Sequence, residues 1–160
     1  MTGKILGTGS YVPGRTVENN DLAKLVDTND AWIRERTGIE RRHVTEEETT
    51  SAMASRAARK ALENGGISPE EIDLILVATS TPDIIFPCVA CRVQKEIDAV
   101  DAVCFDLNAA CSGFLFAYQT AQAYIQAGIY KKVLLIGADS MSQMVDWSDR
   151  GTCILFGDGA

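Results

Sequence analysis

The run Asp106-Leu107-Asn108-Ala109-Ala110-Cys111-Ser112-Gly113-Phe114 holds the residue best placed for chemistry. A strand-like apolar stretch ends there, small and polar residues turn the chain, and a helix-like apolar stretch begins. Cys111 therefore falls near a predicted helix N-terminus. The helix dipole and the unpaired N–H groups at such an end favour a thiolate, and also an oxyanion beside it. Ala109, Ala110 and Gly113 leave room for a substrate to reach the sulfur. The chemistry implied is nucleophilic attack on a carbonyl, with a covalent intermediate on sulfur. Spacing alone allows a second reading equally well, a buried and inert cysteine filling a tight turn.

Other side chains invite a chemical reading. Trp32 and Arg36 lie one helical turn apart, so they share a face. An indole beside a guanidinium suits a nucleotide, with the ring on a base and the cation on a phosphate. The same pair is also an ordinary surface cation–π contact. Asp149-Arg150 fits a plain surface ion pair. Phe86, before Pro87 at a helix entry, fits a hydrophobic staple. Cys88-Val89-Ala90-Cys91 is a C-x-x-C with a predicted strand upstream, so thiol redox chemistry is the alternative function. A long loop separates that strand from Cys88, and no second pair completes a zinc site. Cys104 and Cys153 lie in apolar runs and read as core thiols. The single histidine, His43, sits in the charged run Glu40-Arg41-Arg42-His43 and reads as a surface or structural residue. Arg34, Arg36, Arg41 and Arg42 form a local basic cluster diluted by Glu35 and Glu40, which reads as a solvated charged face.

The elements that would position these residues follow from periodicity and punctuation. Lys4–Val12 is predicted as a first strand containing Gly7 and Gly9. Glu18–Val26 is predicted as a short helix. A second helix, capped by Asn29 or Asp30, runs through Arg36 and stops at Gly38. Ser51–Asn64 is a helix with Ala54, Ala57, Ala58, Ala61 and Leu62 on one face, stopped by Gly65. Ser68-Pro69-Glu70-Glu71 carries a capping-box signature. Buried strands are predicted at Asp73–Thr79, Val103–Leu107, Lys132–Ala138 and Thr152–Phe156, and helices at Cys88–Glu96 and Ser112–Ala127. The last helix is apolar nearly all round, which predicts burial on every side. Strands alternating with helices, without polar alternation in the central strands, indicate an α/β layered fold with a covered, partly parallel sheet.

Composition sets the frame. With 46% hydrophobic and 23% charged residues, the chain is globular rather than disordered, and 160 residues suit one domain. A net charge of −7 argues against general nucleic-acid binding, though a few arginines can still hold an anionic ligand. No signal peptide is visible, and no apolar stretch approaches a membrane span of ~20 residues. Five cysteines, an odd number, suggest reduced thiols and a cytoplasmic setting.

The ordered motifs say more than any one of them. Asn108-Ala109-Ala110-Cys111-Ser112-Gly113-Phe114, Gly137-Ala138-Asp139, Asp149-Arg150-Gly151-Thr152 and Phe156-Gly157-Asp158-Gly159-Ala160 resemble, in order and spacing, the β-ketoacyl-acyl-carrier-protein synthase III family of the thiolase superfamily. Gly7-Thr8-Gly9-Ser10-Tyr11-Val12-Pro13 and Trp32-Ile33-Arg34-Glu35-Arg36-Thr37-Gly38-Ile39 extend the resemblance to essentially the whole chain. It implies a thiolase-like α/β fold, with residues 1–160 as the N-terminal half-domain and a C-terminal half missing. It implies an acyltransferase that initiates fatty-acid synthesis. Cys111 would accept a short acyl group from acyl-CoA, and malonyl-acyl-carrier protein would then condense with it. Thr28, Trp32, Arg36 and Arg150 would line the coenzyme A mouth, with adenine between Trp32 and Arg150. Phe86 would reach the acyl pocket of a homodimer partner and favour a short primer. The catalytic His and Asn would lie in the second half. No metal or redox cofactor is implied, only acyl-CoA as substrate. Cys88 departs from the Ser common in the family. A non-catalytic half-domain that merely pairs with a partner stays open as a further alternative.

Overall fold

The computed structural model describes residues 3–160. In chain order the elements are β1 (Thr16–Glu18), α1 (Asn19–Leu22), α2 (Asp30–Thr37), β2 (Arg41–His43), α3 (Thr50–Gly65) and β3 (Leu74–Ala78). They continue with α4 (Val89–Ile97), β4 (Val103–Leu107), α5 (Gly113–Gln126), β5 (Val133–Gly137), β6 (Asp139–Ser140), α6 (Arg150–Cys153) and β7 (Asp158–Gly159).

The centre is a parallel sheet in the order β4-β3-β5, with Leu74 opposite both Val103 and Val133. Every residue of β3 is buried. Its alternate side chains feed two cores, as the period of two in a strand requires. Ile75 and Val77 pack with Ala54, Ala58 and Leu62 of α3 and with Val89 and Val93 of α4. Leu74, Leu76 and Ala78 pack with Ala117 of α5. Helices thus cover both faces, as a parallel sheet requires. Each fully buried aliphatic side chain contributes roughly 1.5–3 kcal/mol, so β3 anchors the domain.

The helix boundaries have local causes. Asn29 accepts the Trp32 N–H at 2.8 Å to start α2, and Gly38 ends it with φ of 73°. Thr49 caps α3, and Gly66 ends it at φ 61°, one residue later than the predicted stop. Ser68 and Glu71 form the reciprocal capping box. The helix α4 starts where Asp106, reaching over from β4, accepts the N–H groups of Val89 and Ala90, each at 2.8 Å. The predicted helix at Glu18–Val26 contracts to α1 and a following turn.

Three expectations fail. Residues Lys4–Val12 run extended but join no strand. Their carbonyls at Thr8 and Ser10 accept from Asn64 Nδ2 (2.8 Å) and Lys60 Nζ (2.9 Å). Among the described residues, backbone pairing of this segment occurs only at Tyr11, which exchanges two 2.8 Å bonds with Ala160. A Cβ on Gly9 would stand 2.3 Å from the Ala57 carbonyl, so glycine lets this segment lie directly on α3. A groove of about 600 Å³ runs between Lys4–Thr8 and β5.

The predicted strand Thr152–Phe156 is instead α6 and a turn. Asp149 accepts the Gly151 N–H (2.9 Å) and the Thr152 hydroxyl (2.6 Å), which is an N-cap and starts a helical turn. The helix α5 is not buried all round either. Only Gly113, Ala117 and Ala121 are buried, and Leu115 is 71% exposed beside half-exposed Phe114 and Phe116. Among the described residues, no helix is long and apolar enough to cross a membrane.

Candidate active site

Cys111 lies at the C-terminal edge of the parallel sheet, one tight turn beyond β4. A 3-10 turn, Ala110–Ser112, joins β4 to α5. The Cys111 side chain is exposed. Ala110, immediately before it, has φ of +46°, a left-handed conformation that costs a non-glycine residue roughly 1–2 kcal/mol. The Asn108 side chain offsets much of this. Its Oδ1 accepts the Ala110 N–H at 3.1 Å, a bond worth about 1 kcal/mol. The turn projects the thiol into a cleft of about 450 Å³ lined also by Ala110, Phe114, Gly137, Asp139 and Ala160. A Cβ at Gly137 would come within 3.0 Å of the Phe114 ring, so the glycine admits that ring to the cleft wall. The sequence reading and the structure agree on the turn and its accessibility, and Cys111 is not buried.

The second constellation gathers around Trp32. The guanidinium carbons of Arg150 and Arg36 lie 3.9 Å and 4.4 Å from the centre of its ring. The short helix α6 delivers Arg150, and α2 delivers Trp32 and Arg36 on its shared face. A small core of Val17, Leu22, Ile33, Val44, Cys153 and Ile154 supports them. Thr28 Oγ1 and Arg150 Nε are buried without a hydrogen-bond partner. Trp32, Arg36 and Arg150 are thus in contact, and Thr28 stands just ahead of the α2 cap at Asn29, though Arg150 stacks directly on Trp32 and leaves no gap for a base.

Phe86 is 89% exposed beside an equally open Ile85, so it is no hydrophobic staple. It does not line the Cys111 cleft of its own chain. The Cys88 and Cys91 sulfurs are 3.4 Å apart and half-buried. Burial pushes the Cys88 thiol up to about 11, which opposes the ready thiolate that a redox dithiol needs. Cys104, packed against the main core, is pushed by burial to about 12. Cys153 is buried, as a core thiol. His43 Nδ1 lies 2.7 Å from the Pro13 carbonyl, a structural contact. Arg42 corrects the solvated-face reading. It is buried, donating to the Val17 and Ile154 carbonyls and to Asn19 Oδ1 at 2.9–3.0 Å. Among the described residues, no group of three or more His, Cys, Asp and Glu side chains is arranged to hold a metal ion.

Sequence reasoning missed the polar groups behind Cys111. Asp139 Oδ1 accepts the Ser80 N–H (2.8 Å) and the hydroxyls of Thr81 (2.9 Å) and Thr79 (3.2 Å). Ser80 Oγ in turn donates to Asn108 Oδ1 at 3.1 Å. The signal was a polar residue one or two places beyond each parallel strand.

A cysteine on a strained turn at the C-terminal edge of a parallel sheet, opening a helix packed on that sheet, is the arrangement of the thiolase fold. The comparisons narrow this to one family. Residues 105–160 match the family model of 3-oxoacyl-[acyl-carrier-protein] synthase III. The β-ketoacyl-[acyl-carrier-protein] synthase III of Clostridium acetobutylicum is 55% identical over 98% of this chain and 48% of its own length. That of Oceanobacillus iheyensis is 57% identical over 98% and 50%. The crystal structure of 3-oxoacyl-[acyl-carrier-protein] synthase III from Aquifex aeolicus superposes with a TM-score of 0.96 at 51% identity, covering 98% of this chain and 51% of that one. The chain spans about half the length of the curated relatives it matches. Over nearly all of its length it is similar to the N-terminal half of β-ketoacyl-acyl-carrier-protein synthase III enzymes.

Proposed function

We propose that this chain carries the acyl-accepting part of a ketoacyl synthase that initiates fatty-acid synthesis. The observation that carries the reading is the exposed Cys111 on its strained turn, opening into a cleft. The Cys111 thiolate attacks the thioester carbonyl of a short acyl-CoA. The tetrahedral oxyanion collapses, the C–S bond to coenzyme A breaks, and acyl-Cys111 and free coenzyme A result. The N–H groups of Ala110 and Ser112 are committed to Asn108 and to the Ala109 carbonyl, so the Cys111 N–H is the donor available to the oxyanion. Thr28, Trp32, Arg36 and Arg150 form the coenzyme A mouth. Among the described residues, two of the three buried side-chain polar atoms lacking a partner belong to this set, which supports a ligand role there.

In the second stage malonyl-acyl-carrier protein loses CO₂, and the resulting carbanion attacks acyl-Cys111. The β-ketoacyl product leaves on the carrier protein and the thiol is regenerated. The resemblance assigns this step to a His and an Asn in the family's second half; His43, the one histidine here, is tied to Pro13. The exposed Phe86 suits contact with a homodimer partner's acyl pocket and a short primer. Five free thiols suit the cytoplasm. The test is incubation with acetyl-CoA and mapping of the adduct by mass spectrometry. Acetylation of Cys111 is expected, and its loss in Cys111→Ser. Acetylation of Cys88 or Cys91 with Cys111 untouched would overturn the reading.

A further inference from the structure

We propose that Asn108 is a positioning residue for Cys111, and that Ser80 and Asp139 hold it in place. This rests on the acyl-transfer reading of Cys111. The three residues lie just beyond the C-terminal ends of β4, β3 and β5, three adjacent strands of the parallel sheet. They form a chain of hydrogen bonds across that edge. Asp139 Oδ1 accepts the Ser80 N–H at 2.8 Å, Ser80 Oγ donates to Asn108 Oδ1 at 3.1 Å, and the same oxygen accepts the Ala110 N–H at 3.1 Å.

The last bond is the important one. Ala110 stands at φ +46° with no glycine to make that conformation easy. Released, it relaxes toward negative φ and swings the next residue, Cys111, away from the cleft. An asparagine suits this place because its carbonyl oxygen can accept from two donors while its orientation is fixed by one of them. Ser80 supplies that orientation. Asp139, anchored also by the Thr79 and Thr81 hydroxyls, fixes Ser80. Asn108 acts through the backbone and touches no reacting atom.

The experiment compares single-turnover acetylation of Cys111 by acetyl-CoA in wild type, Asn108→Ala, Asn108→Asp and the double variant Asn108→Ala/Ala110→Gly. Folding is checked by melting. Asn108→Ala is expected to slow the maximal rate about tenfold, equivalent to about 1.4 kcal/mol, with unchanged half-saturation by acetyl-CoA. Asn108→Asp keeps the acceptor and is expected to recover most of the rate. Ala110→Gly removes the strain, so the double variant is expected to recover it too. A wild-type rate in Asn108→Ala would overturn the proposal, as would a loss that neither Asp nor the glycine restores. Alkylation of Cys111 by iodoacetamide in the same variants separates this from the functional reading. If acetyl-CoA fails to label wild type while alkylation follows the same order, the acyl-CoA reading fails and the positioning role stands.

Discussion

Trp32 and Arg150 belong to the same proposed adenine site, yet their removal should have unequal effects. In the structure Arg150 already lies on the indole, its guanidinium carbon 3.9 Å from the ring centre. A base seated between them needs van der Waals spacing of roughly 3.5–4 Å on each side, so Arg150 must retreat by about 3–4 Å. Binding therefore breaks one cation–π contact, worth about 0.5–1 kcal/mol at an exposed site. Trp32→Ala removes the base platform, about 1–3 kcal/mol, and also removes the contact that had to be broken. The net loss is about 1.5 kcal/mol, or roughly tenfold in affinity. In Arg150→Ala the lost stack on the base and the lost competitor for Trp32 are of similar size. Their near-cancellation leaves a change within about threefold. The assay is calorimetric titration with coenzyme A, with melting temperatures as the folding control. An Arg150→Ala variant that loses as much affinity as Trp32→Ala would refute the argument that Arg150 competes for the ring.

Further outcomes follow from the same geometry. Asp73 accepts the N–H groups of Lys132 and Lys131, which hold its carboxyl below the ordinary 3.8. Its contribution, about 1 kcal/mol after solvent screening, is present above the unfolded value and is lost as pH falls through the lower folded one. Chemical denaturation should therefore show Asp73→Asn less stable than wild type at pH 6, with the gap closing below about pH 4. Limiting iodoacetamide at pH 8 should alkylate exposed Cys111 first, and reach Cys88, Cys104 and Cys153 last, since burial raises all three. Mass mapping of the time course reads the order. Residues 1–160 expressed by themselves should self-associate on sedimentation, because Ile85, Phe86, Leu115 and Phe116 present apolar surface to water. A sharp-melting monomer would count against the half-domain reading.

What the sequence disclosed and what it hid divide along the reach of the interactions. β4 matches its predicted bounds, and β3 and β5 come within a residue or two; β3, buried at every position, reads as an unbroken apolar run, whereas β4, predicted buried, has no fully buried residue and leaves Val103 exposed. The cap at Asn29 and the capping box at Ser68 are likewise local, each made within three residues. The error at Thr152–Phe156 came from apolar content outweighing the cap at Asp149. The error at Lys4–Val12 came from reading an apolar segment as paired, when it lies against the backbone and side chains of α3 and, among the described residues, pairs its backbone only with Ala160. At the site, Cys111 was legible because strand, turn and helix follow one another in the chain. The set behind it was not, because Ser80, Asn108 and Asp139 meet only when three parallel strands are placed side by side. Arg42 was misread for a related reason. Its acceptors Val17, Asn19 and Ile154 come from distant parts of the chain, and nothing in a charged run announces that one member is turned inward.

One residue ties the two halves of the site together. Asp158, buried on β7, accepts the Ser142 N–H and hydroxyl and, from the other side, the Thr45 N–H at 2.7 Å. Its strand pairs with β6, which holds Asp139 of the chain behind Cys111. Thr45 follows β2 and adjoins the small core beneath Trp32. Asp158 thus bolts the supports of Cys111 to the proposed coenzyme A mouth. Asp158→Ala leaves two buried N–H groups unpaired, at about 1–3 kcal/mol each, for a total on the order of 3 kcal/mol. The expected result is a lowered melting temperature together with losses in both acetylation rate and coenzyme A affinity. Asn108→Ala should lower only the rate, and Trp32→Ala only the affinity. An Asp158→Ala protein that remains folded and loses one property without the other would show that the two parts of the site are held independently.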